Sequence, residues 1–186
     1  MNETLKVIRN RRSIKKYQAK EIADSELQAI LEAAIYAPNS RNQQKWHFTV
    51  IQGKKIIDRL VETIKENIMN SNIEFLKQRA NTPGYHTFHN APAVIMISGD
   101  EKAPFIQIDC GAAAENIALA AESMNIGSNL MTSPELLFAS PKVKEQKKEL
   151  GIPDGYCHMC TVVLGYKDGP APDTPPRSKD VINYIK

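Results

Sequence analysis

The chain has 186 residues, 42% of them apolar and 24% charged, the proportions of an ordinary globular protein with enough length to bury a core of its own. That composition excludes a disordered chain and a collagen-like fibre. No apolar run approaches the roughly 18 residues of a membrane-spanning helix, and no secretory leader is expected at the basic N-terminus. The expectation is a single cytoplasmic domain over residues 1–186. The formal net charge is +3, yet residues 1–20 carry seven basic groups against Glu3 alone and sum to +6, so the rest sums to −3. An anion is expected near that basic end, and the small total argues against a nucleic-acid partner.

In chain order, residues 3–9 read as a short helix capped by Asn2 or Thr4, with Leu5 and Ile8 inward. An extended basic stretch follows from Asn10 to Lys20. Ser25 and Gln28 form a capping box before a helix with Leu27, Ile30, Leu31, Ala34 and Ile35 on one face. Pro38 stops it. Residues 39–45 are a polar loop. Trp46 to Gln52 alternates as a strand. A long helix fits 54–70, with Ile57, Leu60, Val61, Ile64 and Ile68 inward, and helical character resumes over 73–79. Asn81-Thr82-Pro83-Gly84 is a breaker, and Ala93 to Ile97 an apolar strand. Residues 104–125 form the most apolar helix, expected in a domain centre or a subunit interface and stopped by Gly127. Strands are expected over 128–132 and 157–165, with a charged helix over 141–150 between them. The tail after Gly169 holds four prolines and ends in the apolar run Val181-Ile182-Asn183-Tyr184-Ile185. Few strands among long helices give an α+β or α/β domain.

Three constellations could carry chemistry. In the extended stretch, Arg11, Ser13 and Lys15 point the same way. Their guanidinium, hydroxyl and ammonium suit a phosphate, or form a solvated basic face. The loop Pro38-Asn39-Ser40-Arg41-Asn42-Gln43-Gln44-Lys45 is dense in amides, which suit a heterocycle with mixed donor and acceptor edges, or make an ordinary connection. Gly165-Tyr166 and the later Arg177 could return to the same anion. The three cysteines include Cys157-His158-Met159-Cys160, but that CxxC runs into a strand and has no second pair to complete a zinc site. No metal site is expected. His86 and His89 lie between Pro83 and Pro92 and do not read as one helix face. No Gly-rich phosphate loop occurs.

Taken together these segments resemble the nitroreductase family. Arg11-Arg12-Ser13-Ile14-Lys15-Lys16-Tyr17 is similar to its opening RRSxRxF segment. Pro38 to Trp46 is similar to APSxxNxQPW, Asp109 to Gly127 to its central helix, and Gly151-Ile152-Pro153, Val163 to Tyr166 and Arg177 to its closing elements. The chain departs from the pattern at Asn39, at Lys45 before Trp46, and at Asn129-Leu130. The resemblance implies an α+β sandwich with a mainly antiparallel central sheet flanked by helices. It implies a homodimer with FMN at the subunit interface, and reducing equivalents from NADH or NADPH passing to an electron-poor small molecule such as a nitroaromatic or quinone. By position, Arg11 and Ser13 would hold the phosphate with Arg12 beside them, and Gly165 and Arg177 would complete that end. Lys15 would lie by the flavin pyrimidine. Pro38, Asn39 and Asn42 would reach the flavin from the partner subunit, with Gln44 close by. Met131, Thr132 and Ser133 would line the ring. The helix 104–125 would be dimer core and the tail would embrace the partner. Tyr85, His86 and Phe88 are candidate substrate contacts. A flavin-binding carrier or sensor with little turnover is the competing expectation.

Overall fold

The computed structural model describes residues 1–186. Its frame is a four-stranded antiparallel sheet: β1 (Trp46–Gln52), β2 (Ala93–Asp100), β3 (Ile126–Met131) and β4 (Tyr156–Tyr166), ordered β1-β2-β4-β3. The helices are α1 (Glu3–Asn10), α2 (Asp24–Ile35), α3 (Lys54–Met69), α4 (Glu74–Ala80), α5 (Ile106–Ser123) and α6 (Val143–Glu149). The expected α+β sandwich is thus observed. No helix is long and apolar enough to cross a membrane.

The central strand β2 explains the layers. Its residues 93–97 are all buried, and successive side chains in a strand point to opposite faces. Ala93, Ile95 and Ile97 join a core with α2 and α5. Val94 and Met96 join a second core with α3 and the loop before β2. A strand buried on both faces reads as a continuous apolar run. In α3, all five residues expected inward are buried. In α5, Ile106, Cys110, Ala113, Ala114, Ile117, Ala118 and Ala121 are buried, while Phe105 and Ile108 stand 54% and 71% exposed.

Several expectations are corrected. The α2 cap is Ala23, not Ser25: the Glu26 carboxylate accepts from the Ala23 N–H at 3.2 Å and from the Tyr166 hydroxyl at 2.5 Å. That second contact is tertiary and has no local signature. Leu5, Ile8 and Ile35 are not buried but about half exposed, at 48%, 47% and 54%. The α5 helix ends at Ser123, and Asn125 takes the left-handed turn at φ 58°. Gly127 is instead inside β3, because nothing larger fits beneath Ile14. The proline-led turn Ser133–Phe138, a 3₁₀ helix, went unpredicted. The CxxC pair is built into β4, with a bulge opposite Ile97/Ser98. Burial pushes the Cys160 thiol up to about 11 and that of Cys110 to about 12, so these are inert thiols.

Candidate functional site

The basic segment is stitched onto the sheet edge. The Ile14 N–H donates to Ser128 O at 2.8 Å, Gln18 N to Tyr166 O at 2.9 Å, and Asp168 N to Lys16 O at 3.1 Å. These bonds hold residues 13–18 extended, so side chains alternate. Ile14 turns inward, 4% exposed, and Tyr17 is half-buried with its hydroxyl donating to Ile14 O at 2.5 Å. Ser13, Lys15 and Lys16 are exposed and line a concavity of ≈ 390 Å³ closed by Asp168, Gly169, Pro170 and Pro172. The side chains of Ser13, Lys15 and Lys16 make no hydrogen bond or ion pair within the chain.

The two arginines behave differently. Arg11 reaches toward Glu115 of α5, with Nε 3.8 Å from its carboxylate. Arg12 caps α1: its Nη1 donates to Arg9 O at 2.6 Å and Arg11 O at 2.7 Å, and its buried Nε has no partner. The observed work of Arg12 is to satisfy carbonyls that end the helix. Gly165 is buried in β4, where a Cβ would lie 2.7 Å from Pro92 and 2.8 Å from Tyr17. Its observed role is to let the basic segment lie close to the sheet. Arg177 sits in an exposed tail and enters no ion pair within the chain.

The amide-rich loop is held from one side. The Ser40 N–H donates to both oxygens of the buried Asp109 carboxylate, at 3.1 and 3.2 Å. Asn39 Oδ1 accepts from Gln44 N at 2.9 Å. Arg41, Asn42 and Gln44 all have φ of 50–54°, a left-handed conformation that is uncommon outside glycine. Pro38, Asn42 and Gln44 are exposed and Asn39 is half-buried. The loop is therefore fixed internally, in part by the Asn39 amide, while Asn42, Gln43 and Gln44 are exposed. At the end of β3, Met131 packs on the second core. Thr132 and Ser133 are exposed, and the Thr132 N–H makes no hydrogen bond within the chain.

Of the expected substrate contacts, Phe88 is corrected. It is 0% exposed and belongs to the second core, because the loop before β2 folds under α3. Tyr85 and His86 line a different concavity, of ≈ 310 Å³, which also includes Lys15, Arg79 and His89. Lys15 is the one residue shared between this space and the one beside Ser13. Asp109, Lys16, Asp168, Arg79 and His89 were missed from sequence. Lys16 adjoins Lys15 and Asp109 opens the central-helix segment, so both had a local signal; the others had none.

Comparisons with known proteins identify the family. A family model described as "Nitroreductase family" matches residues 8–166. The chain is 33% identical over 172 residues to a protein of Archaeoglobus fulgidus provisionally named an NADH dehydrogenase/NAD(P)H nitroreductase, covering 89% of this chain and 86% of that one. Two solved structures superpose over 100% of both chains. One is a nitroreductase with bound FMN from Bacteroides fragilis, at TM-score 0.94 and 31% identity. The other is a nitroreductase with bound FMN from Desulfitobacterium hafniense, at TM-score 0.92 and 34% identity. With the family match spanning the sheet, both cores and the basic segment, the chain belongs to the nitroreductase family.

Proposed function

We propose that this protein is an FMN-dependent oxidoreductase. It takes reducing equivalents from NADH or NADPH and passes them to an electron-poor small molecule such as a nitroaromatic or quinone. The observation that carries the reading is the unpartnered set Ser13, Lys15 and Lys16 in one concavity. A hydroxyl and two ammoniums facing a single carboxylate, Asp168, are the donor set of a phosphate site. Full-length relatives above 30% identity that are described with bound FMN support it.

When bound, FMN supplies hydride chemistry that side chains lack. The chain's own residues bind and orient. Ser13 donates to the phosphate, with Arg11 beside it. The unpaired ammonium of Lys15 favours negative charge on the adjacent ring, as a fixed charge in a concave site does. The Thr132 N–H is a vacant donor for an acceptor atom of the ring. Met131 and Ser133 flank that donor.

The reading includes a homodimer. Leu5 and Ile8 on α1, Ile35 and Tyr36 at the end of α2, and Phe105 and Ile108 at the start of α5 leave apolar surface uncovered. Large exposed apolar patches mark interaction surfaces. The outward amides of residues 38–44 would then reach the partner's flavin, and the apolar tail ending Val181 to Ile185 would lie across it. The absorption spectrum of the purified protein tests the proposal. A flavin band bleached rapidly and anaerobically by NADH or NADPH is expected. A flavin retained but not bleached would favour the carrier reading, and a colourless protein that takes up no FMN would overturn both.

A further inference from the structure

The concavity beyond Lys15 carries an unused charge pattern. Lys15 from the basic segment, Arg79 from α4 and His89 from the loop before β2 line one space of ≈ 310 Å³. No carboxylate lines it. None of these three side chains makes a hydrogen bond or ion pair within the chain, whereas neighbouring basic groups are matched: Lys77 pairs with Glu74 at 3.0 Å and Lys54 with Asp58 at 2.6 Å. The walls are stiff. Successive turns close with Thr82 N to Arg79 O at 3.1 Å, Tyr85 N to Thr82 O at 3.0 Å and His89 N to His86 O at 2.9 Å. His86 Nδ1 accepts from the Asn90 N–H at 3.1 Å. His89 and Asn90 hold φ of 54° and 56°, and such strained backbone concentrates at ligand clamps.

The lining's one ion pair is His86 Nε2 with Asp58 Oδ1 at 3.6 Å, and the Lys15 and Arg79 charges that face the same concavity favour an anion there. The effect is already visible on His89, whose imidazole is pushed below its ordinary range by burial and by the facing Lys15, Arg79 and His86. Arg supplies a planar fork for two oxygens, and the imidazole and ammonium supply further donors. Such a donor set suits the oxygens of a carboxylate or phosphate.

We infer that Lys15, Arg79 and His89 form a subsite for the anionic substituent of a reactant that visits the flavin, so that the natural acceptor is a carboxylated or phosphorylated compound or the donor is the phosphorylated nicotinamide nucleotide. The inference rests on the flavin reading for the word reactant, but the anion site itself does not. The two concavities share only Lys15.

Calorimetric titration of the purified protein with benzoate and with benzyl alcohol tests the site directly. Benzoate is expected to bind and the uncharged analogue not. The variant Arg79→Gln is expected to weaken benzoate about tenfold, the order of one charge-assisted contact. His89→Asn, which suits a left-handed backbone, is a second variant should the first fold poorly. Two kinetic arms locate the source. One is the ratio of kcat/KM for 4-nitrobenzoate over 4-nitrobenzyl alcohol with NADH; the other is the ratio for NADPH over NADH with the neutral acceptor. The ratio that belongs to the natural ligand exceeds one and falls about tenfold in Arg79→Gln. Equal binding of benzoate and benzyl alcohol to the wild type, or selectivity unchanged in both variants, overturns the inference. So does an Arg79→Gln protein that binds FMN more weakly while both ratios, measured at saturating FMN, are unchanged, since the concavity would then serve the flavin. A protein without flavin turnover defeats the oxidoreductase reading while leaving the benzoate titration readable.

Discussion

Ile14 lies directly over Gly127: a Cβ added at Gly127 would sit 2.9 Å from Ile14 Cγ2 and 3.0 Å from its Cβ, while the Ile14 N–H donates to Ser128 O at 2.8 Å. The basic segment is thus pressed on β3 as closely as a backbone allows, and Ser13 and Lys15 on either side of Ile14 are turned outward as a consequence. Gly127→Ala therefore pushes on a β-branched side chain that is stiff at χ1. We expect a loss of about 1–3 kcal/mol in stability, with weaker FMN binding, read by thermal melts of the flavin-free protein and by FMN titration. An unchanged melt would mean that the contact relaxes freely.

Asp109 is the anchor of the amide-rich loop. Asp109→Ala leaves the Ser40 N–H without its acceptor. An unsatisfied donor costs about 1–3 kcal/mol when buried, and the loop bearing Asn39, Asn42 and Gln44 loses its fixed shape. A lowered melting temperature with faster proteolysis at residues 39–45 is the expected result. Asp109→Asn keeps one carbonyl acceptor and should recover part of the loss.

His158 makes stability depend on pH. Its ring lies 5.9 Å from Phe138 and its Nε2 is 2.8 Å from Thr161 Oγ1. Burial holds its pKa at about 4 against an ordinary 6.5. The unfolded chain then binds the proton first, so stability is fully present above pH 6.5 and is lost as pH falls from 6.5 toward 4, by at most about 3 kcal/mol. His86 and His89 are lowered too and add to the same slope. The lowered carboxylates Asp58 and Asp100 act below that window. Urea unfolding across pH 4–7 should show the slope, and His158→Gln should flatten part of it.

Much of this architecture was readable where the local pattern and the tertiary answer coincide. The stripe of α3, the alternation of β1 and the doubly buried run in β2 each carry their own periodicity. Leu5, Ile8 and Ile35 misled because periodicity marks an apolar face but not what covers it. Phe88 misled for the opposite reason: an aromatic in a turn-rich stretch carries no sign of burial, which the fold of that loop under α3 decides. Ser13 and Lys15 were legible from alternation along an extended chain. Arg79, His89 and Asp168 were not, because only the folding of three distant segments brings them beside the basic start.

Comparing FMN with riboflavin tests the phosphate site most directly. Ser13 and Lys16 are both exposed, and their side chains make no hydrogen bond or ion pair within the chain. Titration of the flavin-free protein should show FMN bound at least about a hundredfold more tightly than riboflavin, the contribution of about two charge-assisted contacts. The double variant Ser13→Ala, Lys16→Gln should close most of that gap without lowering the melting temperature. Equal affinity for the two flavins, or a gap that survives the double variant, would contradict the account.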